Sequence, residues 1–223
     1  KKAAELGNAL AQLNLFVQYY NGTHVATSKS EAIKWLKASA ENGNPDAQFE
    51  LAKQYMSGWD VPKDQEKGIV LYESAAKRGH SKAAIALGAA YAFGVVVEKN
   101  STIGLEWLNK GNEKDAAVWI GIVYSEGGEG VPQDRDLAEE WFRKSDDPLA
   151  MALLPGLYLS KKYGVVNLAK GLSLAHEVEA NLEGEFRIMI QTILMAVYHE
   201  NNNVEEKFYW LNKLSETGDA EYQ

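Results

Sequence analysis

Four histidines, His24, His80, His176 and His199, are the side chains of this 223-residue chain best suited to acid–base work near neutral pH. They stand at unrelated offsets, so their spacing aims no pair of them at one reacting atom, and each reads as a solvated or locally bonded histidine. Cysteine is absent, which removes disulfides, thiol nucleophiles and thiolate metal sites together. The run Gly127-Gly-Glu-Gly130 has the glycine content of a phosphate-cradling loop, but no Lys-Ser/Thr pair follows it and its flanks read as helix and turn. The acidic pairs Asp146-Asp147 and Glu205-Glu206 lack the alternating ligand spacing of a calcium loop. No Ser or Lys nucleophile motif is present. The residues thus supply no catalytic, cofactor-binding or metal-ligating set, and the chain is read as no enzyme. What they do supply is aromatic and aliphatic surface for recognition.

The elements that carry these residues repeat. Tyr19, Tyr55, Tyr91, Tyr124 and Tyr198 are each followed six or seven residues later by a Val, and Tyr158 with Val165 adds a weaker case. Four residues before each of the six tyrosines stands a large aliphatic, namely Leu15, Leu51, Leu87, Ile120, Leu154 and Leu194. Eight before the first five stands Ala11, Ala47, Ala83, Ala116 or Ala150. Ala, Leu or Ile, and Tyr at steps of four define one face of a helix. Ten or eleven residues after the Val an aromatic recurs as Trp35, Tyr72, Trp107 and Trp141, inside a second helical stripe. Each unit is therefore a helix pair. Gly22, Gly58, Gly94 and Gly127 suit left-handed caps for the first helix, and Pro62 and Pro132 stop it from continuing. A period in the thirties marks a helical solenoid, in which each pair buries its apolar face only by stacking on its neighbours.

Composition agrees with a folded chain, 46% hydrophobic and 24% charged. The formal charge of -8 repels a phosphate backbone and argues against nucleic acid as a partner. No apolar run approaches the length needed to span a bilayer. The chain opens on the helix-like Lys1-Lys2-Ala3-Ala4-Glu5 and ends on Ala220-Glu221-Tyr222-Gln223, which reads as the start of another unit and suggests a processed or trimmed chain.

The segments Ala83-Ala-Ile-Ala-Leu-Gly-Ala-Ala-Tyr91 with Gly94 and Val97, and Tyr124-Ser-Glu-Gly-Gly-Glu-Gly-Val-Pro-Gln-Asp134 through Trp141-Phe142, resemble the Sel-1-like repeats (SLR), relatives of the tetratricopeptide repeats. The resemblance covers about residues 5 to 219 and departs from the pattern after Pro148, where Pro155 takes a small-residue position and Lys161-Lys162-Tyr163 replaces the usual loop. It implies an all-α, right-handed α-solenoid of about six stacked helix pairs, a single repeat domain over 1–223 with units about 5–44, 45–80, 81–114, 115–147, 148–184 (degenerate) and 185–219. It also implies a non-enzymatic adaptor that binds another protein. An immunity-type protein that neutralises a secreted bacterial toxin or effector is an alternative, and a hydrolase of a cell-wall related compound is a remoter one. The compartment stays open between bacterial periplasm or secretion, if a signal peptide has been removed, and cytoplasm. So does the oligomeric state, with a monomer the simpler expectation.

In stacked helix pairs the first helices line the concave side. The positions two before the Leu, two after it, and one or two after the Tyr then face the groove. They select Tyr20, Phe49, Lys53, Met56, Ile85, Phe93, Val118, Ile122 and Glu126 as a partner-binding surface, an unusually apolar set. The alternative is that a tightly curled chain buries them against one another. Trp59, in a turn, is either an exposed interface anchor or a cover for the neighbouring repeat. Trp35, Trp107 and Trp141 repeat in register and are packing residues.

Overall fold

The computed structural model describes residues 1–216. The last residues of the sixth unit and the stretch Ala220 to Gln223 lie outside them. Thirteen α-helices occur among the described residues: α1 Lys2–Glu5, α2 Ala9–Asn21, α3 Lys29–Glu41, α4 Pro45–Ser57, α5 Gln65–Lys77, α6 Ser81–Phe93, α7 Ser101–Leu108, α8 Glu113–Glu126, α9 Arg135–Lys144, α10 Pro148–Leu159, α11 Leu168–Glu179, α12 Gly184–Glu200 and α13 Val204–Glu216. A 3₁₀ turn spans Lys161–Tyr163. There is no strand among these residues, and Gly127-Gly-Glu-Gly130 is the repeat's own turn, closed by an isolated bridge between Gly128 and Val131. The all-α class and the consecutive packing of helix pairs expected from the repeat are what the molecule has. It divides into two compact units, Lys1–Ala116 and the residues from Ala117 onward, the boundary falling inside α8.

In the first unit the residues repeat at 36 with little drift. Asn8, Asn44 and His80 cap α2, α4 and α6, each accepting a hydrogen bond from the backbone N–H three residues on. Each of these helices ends on a glycine in the left-handed region, Gly22, Gly58 and Gly94, with φ of 73°, 76° and 73°. The glycines are required twice over, by φ and by space: a Cβ on Gly22 or Gly58 would lie 2.7 Å from Thr27 Cγ2 or 2.9 Å from Lys63 Cβ. Ser28, Asp64 and Asn100 then cap the second helices. The N–H of each of these caps also donates to the carbonyl of the repeat tyrosine: Ser28 to Tyr19 (3.0 Å), Asp64 to Tyr55 (3.0 Å) and Asn100 to Tyr91 (2.7 Å). The same bond recurs in the second unit from Asp134 to Tyr124 (2.8 Å) and from Asn167 to Tyr158 (2.8 Å). Each one satisfies a carbonyl that the helix end leaves without a partner, and so ties the start of the second helix to the end of the first across a turn of nine residues or, at Tyr124, ten.

Packing follows the expected stripes. All six aliphatics, from Leu15 to Leu194, are buried, as are Ala47, Ala83, Ala116 and Ala150 at the helix crossings. One register differs from expectation. Because α3, α5 and α7 begin 36 residues apart, Leu71 occupies the place of Trp35 and Trp107, and Tyr72 occupies that of the fully buried Leu36 and Leu108. Tyr72 is buried there, and burial with the nearby Glu50 charge pushes its hydroxyl up to about 12. The short helix α1 repeats the last turn of α3: Gln12 Nε2 donates to Ala4 O and Gln48 Nε2 to Ala40 O, both at 3.0 Å.

The second unit is held differently. Its core gathers Phe142, Leu154, Leu157, Val178, Ile190, Leu194 and Trp210. Pro155 lies buried inside α10, so the Met151 carbonyl one turn earlier has no helical N–H to accept from. Ion pairs supply ties between helices here. Arg143 on α9 is bidentate to Glu177 on α11, at 2.7 and 3.1 Å, and also holds Glu139. The loop of the sixth pair shrinks to Asn201–Asn203, as its sequence implies.

Candidate interaction site

The nine positions selected from the sequence do not share one environment. Tyr20 is 42% exposed on α2, its ring 5.5 Å from that of Phe16. Phe49 is half-buried, stacked on the His80 ring at 4.5 Å and tilted against Tyr72 at 5.7 Å. Lys53 is exposed, paired with Glu50 at 2.9 Å. Met56 is half-buried and reaches α5, where a Cβ at Gly68 would lie 2.7 Å from its sulfur. Phe93 and Ile122 are half-buried, and Glu126 is exposed. Ile85 and Val118, only 8% and 5% exposed, are core residues. This corrects the reading of the whole set as surface. A side chain two places before the repeat Leu projects about 200° around the helix from it. On these inner helices that direction meets protein: Ile85 packs at Gly111, and Val118 joins the main cluster of the second unit. In the first unit Tyr20 is the one strongly exposed apolar member of the set, so no continuous apolar groove follows these positions there.

A groove does exist in the second unit. It encloses about 360 Å³ across the first helices of the last three pairs, α8, α10 and α12. Ile122 and Glu126 line it from α8, Leu153, Gly156 and Leu157 from α10, and Met189 and Ile193 from α12, with Phe142 and Tyr163 completing the wall. Met189 is 37% exposed at its edge. Glu126 is held by Lys162 at 2.7 Å, so the one carboxylate of the lining is neutralised. Gly156 is half-buried, and a Cβ placed on it meets nothing within 4 Å. Packing does not require that glycine. Its effect is to leave an open floor, between walls of aliphatic and aromatic side chains, for an apolar side chain from elsewhere. Of the sequence-derived set only Ile122 and Glu126 are here. Gly156 stands two after Leu154, the same offset as Ile122 from Ile120, so the positional rule reaches it once carried into the fifth pair. Met189 and Ile193 have no such signal, because they stand five and one before Leu194, offsets that the positional rule does not include.

Outside the groove lining, α9, α10 and α11 share a polar cluster. The Tyr158 Oη lies 2.8 Å from both Asp136 Oδ1 and Glu139 Oε2, and Lys170 Nζ donates to it at 2.6 Å. Lys170 is also 2.9 Å from Glu139. Burial, with the two carboxylates, pushes the Tyr158 hydroxyl up to about 12. Burial works against the Lys170 ammonium, but Tyr158 and Glu139 outweigh it and hold it above the ordinary lysine range. Neither group is a base at neutral pH, and the cluster acts as a clamp between helices.

The histidines are apart. His24 sits in a turn with φ of 66°. His80 caps α6 through Nδ1, 3.1 Å from the Ala83 N–H. His176 pairs with the Tyr198 hydroxyl at 3.0 Å, and His199 is exposed near the end of α12. Trp59 is 81% exposed in the turn after α4. Trp35 is buried and Trp107 half-buried against the first-unit core, as packing residues should be. Among the described residues no group of three His, Cys, Asp or Glu is placed to hold a metal ion, and no helix is long and apolar enough to cross a membrane.

A family model described as Sel1 repeat matches residues 9–44, 45–80, 81–115 and 114–145. The matches coincide with the first four helix pairs. No curated protein matches the sequence. Among solved structures, a protective antigen of uropathogenic Escherichia coli displaying an SLR fold aligns with 99% of this chain and 48% of its own, at 27% identity and a TM-score of 0.74. The chain thus spans about half the length of that neighbour. A Sel1 repeat protein from Oxalobacter formigenes aligns with 95% of this chain and 89% of its own, at 23% identity and a TM-score of 0.65, a likeness of fold.

Proposed function

The chain belongs to the Sel1 repeat family, and from that premise we propose that it holds a protein partner in the groove between α8, α10 and α12. Sel1 repeat proteins mediate protein–protein interaction. The observation that carries the proposal is Gly156: an open floor with no packing reason, flanked by Ile122, Leu153, Met189 and Ile193. Such a groove suits an amphipathic helix or extended segment that inserts an apolar anchor. The charge of -8 favours a partner with basic residues around that anchor. A toxic effector silenced by occlusion is one form such a partner takes. Tyr20, Lys53 and Trp59, exposed in the first unit, are proposed as lesser contacts.

The test uses Gly156→Leu, which fills the floor from a position whose Cβ meets no neighbour within 4 Å. Peptides selected on the wild-type chain from a displayed library should carry apolar residues at helical spacing with basic flanks. They should bind Gly156→Leu roughly tenfold or more weakly, about 1.4 kcal/mol, at unchanged melting temperature. Full retention of binding by this variant overturns the groove assignment.

A further inference from the structure

A second cavity, of about 650 Å³, opens in the first unit where α3, α4 and α5 meet. It lies on the side of the second helices, and it is independent of the groove proposed above. Leu51, Tyr55 and Leu71 form its floor. Leu71 is the key residue, because the repeat places tryptophan at that position: Trp35 in the unit before and Trp107 in the unit after, each 36 residues away, and Trp141 in the fourth. In those three units the ring is covered by a lysine ammonium. Lys34 lies 5.5 Å from the Trp35 ring, Lys110 3.8 Å from Trp107, and Lys144 4.2 Å from Trp141. At Leu71 the indole is missing, and Val70 and Ser74 stand where the covering lysines would be, but Lys37 and Lys67 bring cations to the cavity from other positions, Lys67 paired with Asp64 at 2.6 Å.

A neighbouring position changes in the same sense. Where the other pairs carry Lys34, Glu106 or Glu140, this pair carries Val70, which lines the cavity and is 63% exposed. One helix thus carries its ring one place along, as the buried Tyr72, which leaves the tryptophan slot to the smaller Leu71 and puts an exposed aliphatic edge beside it. For stability alone both changes are unfavourable.

We propose that this cavity receives an aromatic side chain of a polypeptide partner, of indole size. The ring enters the slot that tryptophan fills from within in the other pairs and packs on Leu71 and Val70. The ammonium groups of Lys37 and Lys67 face its π-surface, the same charge complementarity that the chain uses three times internally. Glu41 on the rim accepts from the indole N–H or from the partner's backbone amides.

The experiment titrates N-acetyl-tryptophanamide into the ¹⁵N-labelled full chain and follows amide shifts. Saturable shifts are expected over residues 37–41 and 64–71. Leu71→Trp supplies the ring from within and should weaken binding roughly tenfold without lowering the melting temperature. Val70→Glu, a surface change to the residue carried at this place as Glu106 and Glu140, sets a carboxylate against the negative face of the ring and should weaken binding several-fold, and it decides the matter if Leu71→Trp misfolds. Absence of saturable shifts, wild-type binding by Val70→Glu, or equal binding of N-acetyl-leucinamide overturns the proposal. Free indole binding as tightly as the acetylated amide overturns the polypeptide occupant in favour of a small aromatic compound.

Discussion

The two compact units solve the same stacking problem with different forces. In the first, small residues let the helices approach: Ala32, Ala47, Ala52, Ala75, Ala83 and Ala84 are buried at the crossings. Most of its ion pairs stay within one helix, as in Lys34 with Glu31, Lys53 with Glu50 and Lys77 with Glu73. Exposed pairs of that kind add little. The second unit joins helix to helix with charge. Arg143 links Glu139 and Glu177, Lys170 links Tyr158 and Glu139, and the buried Glu179 carboxylate accepts from Gln191 at 2.7 Å, Arg187 at 3.0 Å and Lys213 at 3.3 Å. Where the repeat pattern decays, electrostatic ties take over part of the positioning that close apolar contact provides elsewhere.

Four substitutions and an acid titration test that contrast. The largest effects are expected from Leu87→Ala and Leu154→Ala, each costing about 2–5 kcal/mol because both side chains are fully buried. Hydrogen exchange should place the damage in α2–α7 for the first and in α9–α13 for the second. Equal loss of protection in both units after either change removes the distinction between them.

Glu179→Ala comes next, at about 2–3 kcal/mol from the loss of hydrogen bonds to a charged group. Burial alone raises the Glu179 carboxyl, but Gln191, Arg187 and Lys213 outweigh it and hold its pKa below 4.5. Arg143 holds Glu177 below 4.5 in the same way. A carboxylate depressed in the folded state stabilises fully above its unfolded pKa and loses that contribution as pH falls through the folded value. Acid titration should therefore weaken the second unit first, starting near pH 4.5 and deepening below it. In Glu179→Ala that step should shrink, as read by amide exchange or circular dichroism. Simultaneous acid melting of α2–α7 contradicts the electrostatic account.

The smallest effect is a gain. Val96 is a β-branched residue at φ of 69°, in the turn after α6. Val96→Gly should stabilise the first unit by about 1 kcal/mol by removing that strain. A measured loss of stability means that the valine packs in a way its 40% exposure does not suggest.

Much of this was legible in the residue order. The Ala, Leu and Tyr stripe located six first helices, and the glycines located their ends, because helical period and the left-handed cap depend on local chemistry. The shift at Leu71 and Tyr72 was not legible, since an aromatic one place away satisfies a spacing rule of ten or eleven residues equally well. The burial of Ile85 and Val118 depends on which helices lie behind them, a fact of packing that no single helix encodes. The groove at Gly156 was hidden by its degenerate surroundings, although its offset from Leu154 matches that of Ile122 from Ile120.

The bond from each second-helix cap to the tyrosine carbonyl is a contact between main-chain atoms, and so it constrains no side chain between its ends. Apart from the left-handed Gly22, Gly58, Gly94 and Gly127 and the buried Val61 and Val131, the stretch it closes is free to diverge, and it does, from Trp59-Asp60 to Val95-Val96 to Gly128-Glu129-Gly130 to Lys161-Lys162-Tyr163. New surface can be tried at these places one turn at a time while the stacking of the pairs is left alone. In a repeat array this separates the part that selection must keep from the part it can rewrite, and the turns become natural sites for grafting a recognition sequence.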